Sequence, residues 1–386
     1  MNSRNKLAEM PIRPLLYTMA VPLMLSLLVQ SLYNIVDSIF VARLSETALT
    51  AASLVYSVQF LMIAVGVGTA VGLNALLSRK IGEHKAEEAC QAATTGLFLM
   101  LLTSLIFSLA GIFLSDTIAT KMAASPELQE LCKQYLSINL VYCWGIFLQT
   151  YGQRLLQAVG DTVLSMFSLI IGAVLNIILD PIMIFGLLGC PKMGMSGAAY
   201  ATGIGQSVTL LAYVAALIIS PLPVSFSKRN ISFNKELMKK LYLVGIPASL
   251  NMALPSVLIS SLNGILAAFS DKYVLVLGAY YKLQTFIYLS ANGIIQGIRP
   301  LVSFNYGAGE NGRVRKIFNT SLALTSGIMA LGVALSFIIP DKMIGLFTEN
   351  PDTVQIGVKA LHIICIGFIF SAMSVTCCGV LEALGR

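Results

Sequence analysis

Ten apolar stretches, each long enough to cross a lipid bilayer, decide what this chain can fold into. They cover residues 15–40, 50–77, 92–115, 132–156, 163–188, 197–220, 241–269, 274–302, 317–340 and 357–381. A helix needs about 20 apolar residues to span the hydrocarbon layer, and only helices satisfy their backbone polar groups within one segment there. With 56% hydrophobic residues, 11% charged residues and a mean hydropathy of +0.82, the chain is not an ordinary soluble domain. The sequence therefore predicts an all-α membrane protein.

The basic residues predict how the chain is oriented. If the N-terminus is cytoplasmic, 17 of the 25 Lys and Arg residues fall in cytoplasmic loops or helix ends, and 8 fall outside. Cytoplasmic loops carry the excess of positive charge. The net charge of +7 does not indicate a nucleic-acid partner, because the bases are not clustered with exposed aromatic residues. We expect a monomer that passes several times through the plasma membrane, with its N-terminus in the cytoplasm.

The chain repeats itself at an offset of 225 residues. Pro22 in AVPLML corresponds to Pro247 in GIPASL, and no gap is needed from there to the end. The same offset pairs Ser31 with Ser256, Tyr56 with Tyr281, Gln59 with Gln284, Gly68 with Gly293, Gly72 with Gly297, Ser78 with Ser303, Gly82 with Gly307, Asp116 with Asp341, and Gly160 with Gly385. Each unit holds six helices, an even number, so both copies enter the membrane from the same side. This is the parallel repeat of many transporters.

The repeat predicts the domain organisation. We expect an N-terminal six-helix lobe at 1–220, a basic cytoplasmic linker at 221–240, and a C-terminal lobe at 241–386. A complete second copy would run to about residue 450 if the repeat period holds. The expected fold is therefore two six-helix bundles in parallel repeat, with the second truncated after its fourth helix.

Two acids fall inside the apolar stretches. Asp37 shares one helical face with Gln30, Tyr33 and Asn34, at spacings of three and four. Asp180 lies far along the fifth stretch, with no basic residue at its depth. A charge at bilayer depth costs about 2.5–3.5 kcal/mol, so such residues tend to mark function. The alternative is a hydrogen-bonded polar contact between helices.

The two acids have polar neighbours at the same depth. Asn176 precedes Asp180 by one helical turn, and Thr202 lies at a similar depth on the next helix. Two carboxylates, an amide and a hydroxyl suit either a proton or a hard monovalent cation such as sodium, held by Asp37, Asp180 and Asn176. Asp180-Pro181 predicts a break in the helix that frees a carbonyl as a ligand, or a plain kink.

Several segments together resemble the multidrug and toxic compound extrusion (MATE) family. They are the Pro22…Tyr33…Asp37 pattern and GLNALLSRKIGEHK, echoed by GIRPLVSFNYGAGE. RLLQAVGD and GVLEALGR are similar to the family's signature at the end of the fourth helix of each half, and LNIILDPIMIFG to its fifth helix. The resemblance implies a cation-coupled antiporter, driven by protons or sodium. It would need no cofactor and would export amphipathic, often cationic, organic compounds.

The resemblance also implies which residues couple transport to the ion. In one subgroup the acids lie in the N-terminal half, which makes Asp37 the coupling acid, with Tyr33, Asn176, Asp180 and Thr202 around it. Other members carry a glutamate on the seventh helix, eight residues after its proline. That position is Pro255 here, so coupling is expected in the N-terminal half.

Further residues are weaker predictions. Pro22 is a hinge or a static kink in the first helix. Gln59, Gln284, Tyr280 and Asn292 line a substrate cleft or simply pack between helices. The 16 methionines suit an adaptable binding wall, although most such residues are core or face lipid.

Two rival functions fit the sequence less well. A flippase for lipid-linked precursors or polysaccharides would need basic residues inside the helices to bind pyrophosphate, and nearly all bases lie in loops or at helix ends. A membrane-embedded enzyme would need a cluster of catalytic or metal-binding residues, and none is evident. The chain has no Walker-type phosphate loop either, so it is expected to be a transporter and neither an enzyme nor an ATP-driven pump.

Overall fold

The described residues of the computed structural model, 3–123, 125–219, 235–348 and 350–385, are almost entirely helical. In chain order the helices are α1 (Ser3–Glu9), α2 (Ile12–Leu44), α3 (Glu46–Gly82), α4 (Ala86–Met122), α5 (Pro126–Val141), α6 (Trp144–Ala158), α7 (Thr162–Phe185), α8 (Met195–Ile219), α9 (Lys235–Ala267), α10 (Asp271–Gly307), α11 (Asn311–Ile338), α12 (Pro340–Gly345), α13 (Pro351–Ile364) and α14 (Gly367–Leu384). Eight of these helices are long and apolar enough to cross a membrane. The prediction of an all-α membrane protein is confirmed.

The predicted apolar stretches coincide with the helices, but two of them are divided. Stretch 132–156 runs through α5 and α6, and stretch 357–381 runs through α13 and α14. The breaks fall at equivalent places in the two repeats, within two residues of the 225-residue offset. Most of the predicted linker, 221–234, lies outside the described residues, whereas 235–240 forms the first turns of α9. The lobe boundaries and the truncation of the second lobe stay predictions.

The two halves pack against each other through two equivalent helix pairs, each made of one helix from each half. Helix α2 of the first half packs against α10 of the second, and α9 of the second packs against α3 of the first. Glycine makes both contacts close. A Cβ at Gly72 would overlap the carbonyl oxygen of Leu241, and a Cβ at its repeat partner Gly297 would lie 3.2 Å from Ala20 Cα. Small residues allow helix backbones to approach in this way where no hydrophobic driving force acts between helices.

The repeat is visible again at the ends of α3 and α10. A Cβ at Gly82 would overlap the carbonyl of Phe304, and a Cβ at Gly307 would overlap the carbonyl of Arg79. Replacing each residue by its repeat partner, Gly82 by Gly307 and Phe304 by Arg79, converts one contact into the other. The hydroxyl of Ser78 donates to the Ala158 carbonyl at 3.2 Å. The equivalent Ser303 hydroxyl donates to Ala383 at 2.7 Å. The duplicated sequence therefore builds a duplicated set of contacts.

These contacts close the two halves together on the side that carries the N-terminus. The residues before α2 add a further link there. Arg313 of α11 donates to the carbonyl oxygens of Leu7 at 3.3 Å and Met10 at 3.0 Å. The Leu7 side chain is fully buried and packs near Gly160 at the end of α6. The N-terminal segment thus bridges the first and second halves.

Prolines inside the helices do not interrupt them. Helix α7 continues through Pro181 to Phe185, so of the two alternatives beside Asp180 the break is wrong, and the plain kink stays a prediction. Helix α2 likewise continues through Pro22. Proline lacks an N–H, which leaves the carbonyl of Thr18 without its helical donor. The hydroxyl of Thr162 on α7 donates to that carbonyl at 3.1 Å. Neighbouring helices can satisfy a freed carbonyl in this way, so the helix is kept.

Gly72→Ala tests the closeness of the α3–α9 contact. The added methyl group would collide with the Leu241 carbonyl, and overpacking of this kind costs about 1–3 kcal/mol. The thermal unfolding midpoint in detergent should fall. Gly327→Ala on α11 is the matched control, because nothing lies within 4 Å of a Cβ there. Equal midpoints for the two variants would contradict the packing described.

Candidate functional site: a polar cavity between the two halves

A cavity of about 870 Å³ lies between the two halves. Its walls come from α2, α3, α5, α6, α7 and α8 of the first half and α9, α10 and α14 of the second. It extends from Leu49 and Ser53, near the start of α3, to Arg154 and Glu382, near the ends of α6 and α14. Its volume falls in the range of pockets for drug-sized molecules. Both polar and apolar groups line it, so it suits an amphipathic occupant.

The two predicted acids meet at one wall of this cavity. Helices α2 and α7 pack side by side, which brings the Asp37 and Asp180 carboxyl groups within hydrogen-bonding range of each other. Asp37 lines the cavity. Asp180 is completely buried behind it, with 0% of its surface exposed. An occupant of the cavity can therefore reach Asp180 only by way of its neighbours.

Asn176 and Thr202 complete this group. The Asn176 amide nitrogen lies 3.4 Å from Asp180 Oδ1 and 3.5 Å from Thr202 Oγ1, donating towards both. A small cavity of about 30 Å³ adjoins Asn176 and Thr202 and is lined also by Tyr33. That space is large enough for a single water-sized occupant.

Three oxygen atoms of this group lack a hydrogen-bond donor. They are Asp37 Oδ1, Asn176 Oδ1 and Asp180 Oδ2, all shielded from solvent. Neither acid forms an ion pair with any Lys or Arg among the described residues. Buried oxygens without donors are costly unless something else binds to them. A proton or a cation would fill that role.

The structure brings all five predicted coupling residues into one neighbourhood. Tyr33 lies beside Asp37 and hydrogen-bonds with Gln30. Tyr135, which sequence analysis missed, also lies near both acids, and its hydroxyl bonds with Gln59. It is only 5% exposed and sits on the less apolar helix α5. Nothing in its local sequence indicates that it faces the acids.

Two of the four weaker candidates for lining a substrate cleft lie in the cavity wall. They are Gln59 and Asn292. Tyr280 does not line the cavity. It packs in the core of the second half, with its ring stacked on Phe368 at a centroid distance of 6.3 Å. Gln284 is not among the described residues that form the cavity wall.

The opposite end of the cavity holds basic residues that the sequence analysis placed at helix ends. Arg154 on α6 is 5% exposed, and Arg299 on α10 lines the same wall. Arg299 forms an ion pair with Glu382 at 2.5 Å. The expectation that basic residues stay out of the cavity is therefore wrong for these two. Arg299 lies within the apolar stretch 274–302, and this position in the sequence could have indicated that it faces the interior of the protein.

The acid pair and the basic end are well separated. Gln59 of α3 reaches towards the acids through Tyr135, whereas Asn74 of the same helix donates to the Arg154 carbonyl at 2.9 Å. The 15 residues between them correspond to about 20 Å along a helix. The cavity thus carries negative groups at one end and a net positive charge at the other.

Within the described residues, no three His, Cys, Asp or Glu side chains gather to hold a metal ion. The acid pair with Asn176 and Thr202 is an oxygen-only donor set. Such a set suits a hard monovalent cation, or a proton shared between the carboxyl groups, better than a transition metal.

The Arg299–Glu382 pair makes a testable contribution to stability. Arg299→Met should cost about 3–5 kcal/mol, because it leaves the largely buried Glu382 without its partner. The double variant Arg299→Met/Glu382→Met should recover most of that loss, because both charges are removed together. Thermal unfolding of the single and double variants in detergent measures the difference. A double variant as unstable as the single one would contradict a direct ion pair.

Comparison with known proteins identifies the family. The MatE family model matches residues 22–182 and 247–386. The two matches begin at Pro22 and Pro247, the first pair of the 225-residue repeat. The multidrug export protein MepA of Staphylococcus aureus (strain MSSA476) is 25% identical over 368 residues, covering 95% of this chain and 80% of the relative. MepA of Staphylococcus haemolyticus (strain JCSC1435) is 23% identical with the same coverage.

Solved structures share the fold. The structure described as "Crystal structure of MATE in the straight conformation" has a TM-score of 0.91 at 24% identity and covers 100% of this chain and 85% of the other. "Outward-facing conformation of a multidrug resistance MATE family transporter of the MOP superfamily" has a TM-score of 0.90 at 24% identity, with the same coverage. The match of the family model to both halves establishes that this chain belongs to the MatE family, a transporter and not an enzyme, as the resemblance predicted.

Proposed function

We propose that this chain is a cation-coupled antiporter that exports amphipathic, often cationic, organic compounds by alternating access. One observation carries the proposal. The paired carboxyl groups of Asp37 and Asp180, with three donor-free oxygens, lie at the wall of a drug-sized cavity. The name of the MepA relatives, multidrug export proteins, supports the substrate class.

The acid pair is suited to exchange a positive ion. Two carboxylates within hydrogen-bonding range cannot both remain ionised without a counter-charge, since like charges repel strongly in a medium of low dielectric constant. Asp37 and Asp180 therefore take up a proton or a monovalent cation. For sodium, Asn176 Oδ1 and Thr202 Oγ1 supply further oxygen ligands. For a proton, the two aspartates suffice.

Helix α2 couples ion binding at the acid pair to the shape of the substrate cavity. This helix carries Asp37 and Tyr33 into the cavity wall, and it also packs against α10 of the opposite half. An ion at the acid pair draws α2 and α7 together, whereas its loss lets them separate. Pro22 provides a point of bending, because one backbone hydrogen bond is already missing there and Thr162 holds the free carbonyl. Movement of α2 then changes the cavity and the contact between halves.

The direction of export follows from the charge pattern. The excess of Lys and Arg on the N-terminal side supports a cytoplasmic N-terminus in the plasma membrane. The contacts at Gly82 and Gly307 seal that side, whereas the cavity reaches towards the opposite face. This arrangement corresponds to an outward-facing state, in which substrate leaves and the coupling ion enters.

A flippase for lipid-linked precursors remains the second candidate, favoured by the two arginines in the cavity. Glu382 neutralises Arg299, which leaves one uncompensated base for the several charges of a pyrophosphate. The antiporter therefore fits better. Translocation of a lipid-linked pyrophosphate in proteoliposomes, independent of any ion gradient, would favour the flippase.

Asp37→Asn should abolish gradient-driven export while leaving expression unchanged. The amide cannot ionise, so the pair loses its capacity to bind and release the coupling ion. Resistance of cells to a cationic dye such as ethidium, together with ethidium efflux from proteoliposomes, measures the loss. Asp116→Asn is the matched control, because Asp116 pairs with Lys133 at an exposed surface. Export retained by Asp37→Asn would reject the coupling role.

Asn176→Ala separates the two candidate ions. If sodium drives export, loss of a ligand oxygen should raise the sodium concentration for half-maximal efflux about tenfold or more. If protons drive export, both aspartates remain and the variant should keep most of its activity in a pH gradient. Efflux compared under a pH gradient and a sodium gradient measures both. A variant unchanged under sodium drive would exclude Asn176 as a ligand.

A further inference from the structure

We infer that the end of the cavity around Arg154 is a binding subsite for the carboxylate group of an amphipathic organic substrate. The inference deepens the proposed function, since it rests on the cavity being the substrate site. It assigns an additional polar contact, away from the acid pair, and extends the substrate class to molecules that carry an acid group.

Arg154 is held in place by neutral groups. One Nη1 atom donates to Gln157 Oε1 at 2.7 Å and to Gln296 Oε1 at 3.2 Å. Its Nε atom is buried and has no acceptor. Only 5% of the residue is exposed, yet it lines the cavity. The guanidinium is thus oriented by two amides, and part of its donor capacity stays unused.

The charges at this end do not balance. Glu382 is bound to Arg299, and no described acid lies within ion-pair distance of Arg154. One guanidinium therefore remains without a counter-ion at a site removed from bulk water. A buried charge of this kind is unfavourable until an opposite charge binds to it. An anionic ligand would supply that charge.

Most of the spare hydrogen-bonding groups at this end are donors, and the exception, Glu382 Oε2, lies in the ion pair with Arg299. Arg154 Nε, Gln157 Nε2 and Arg299 Nε are all buried donors without acceptors. An oxyanion accepts several hydrogen bonds and donates none when ionised. The excess of donors therefore matches an oxyanion, and does not match a cationic or neutral donor group.

The neighbouring walls fit the rest of an amphipathic molecule. Val67, Val71, Ile295 and Val375 line the cavity near this end. The acid pair is about 20 Å away along α3, so a carboxylate here does not compete with Asp37 for the coupling ion. Arginine binds carboxylate through two parallel hydrogen bonds. A carboxylate balances the single net charge, whereas the second charge of a phosphate would face Glu382.

Equilibrium binding to the purified chain in nanodiscs tests the inference without any ion gradient. The probes are dansylglycine, an amphipathic carboxylate with environment-sensitive fluorescence, and its uncharged methyl ester. Wild type should bind the acid at least about tenfold more tightly than the ester. Arg154→Gln should raise the Kd of the acid by about tenfold to hundredfold and leave that of the ester unchanged. Arg154→Lys should lie between them, since it keeps the charge and loses the fork.

Two controls test for loss of charge elsewhere in the protein and for misfolding. Arg43→Gln removes an arginine from the exposed end of α2 and should leave both affinities unchanged. Size-exclusion profiles and ester binding show whether Arg154→Gln is folded, and Arg154→Lys tests the site if it is not. Equal affinity of wild type for acid and ester would overturn the inference. So would an unchanged Kd for dansylglycine in a folded Arg154→Gln variant, or in Arg154→Lys if Arg154→Gln does not fold. Displacement of the probe by inorganic phosphate at the probe's own Kd would also overturn it. Ion-driven ethidium export lost in Asp37→Asn remains a separate readout, so failure here leaves the proposed function standing.

Discussion

Inside a bilayer, a charge or a hydrogen-bonding group persists only where the protein supplies a partner for it. This constraint accounts for most of the molecule. Backbone groups are satisfied within helices, and the carbonyl freed by Pro22 is satisfied by Thr162 of a neighbouring helix. Among the described residues, most of the buried side-chain groups that lack a hydrogen-bond partner lie at the two ends of one cavity. The acid pair lacks donors, and the Arg154 end has more donors than acceptors. We therefore propose a ligand for each end.

The sequence repeat accounts for the contacts that the two halves share. Some positions at which the two repeats carry different residues lie where function is expected. The two halves share their glycine contacts and their serine-to-carbonyl bonds. They differ where function is expected. The counterpart of Asp37 is Leu262, so the acid wall belongs to the first half alone. The counterparts of Asn74 and Gln157 are Arg299 and Glu382, so two neutral amides in one half correspond to an ion pair in the other.

The sequence predicts those features that depend only on the order of residues along the chain. Apolar length predicts the helices, and the offset predicts the repeated contacts. Isolated acids in apolar stretches single out Asp37 and Asp180, which the structure brings together, and their coupling role stays a prediction. Sequence reasoning fails where a residue near the end of a helix can face either water or the cavity, as Arg154 does. It cannot choose between a break and a kink at Pro181, because packing against other helices decides the cost of a missing hydrogen bond. Tyr135 of α5 also lies near the acids, and no local pattern in its sequence indicates this.

The central claim is that the Asp37–Asp180 pair exchanges a positive ion in step with substrate. Release of that ion when substrate binds to the purified protein measures this most directly, with a pH indicator for protons and radioactive sodium for sodium. The account predicts that saturating ethidium releases one of the two ions from wild type, and neither from Asp180→Asn. Substrate binding that releases neither ion from wild type, or equal release from the variant, would contradict it.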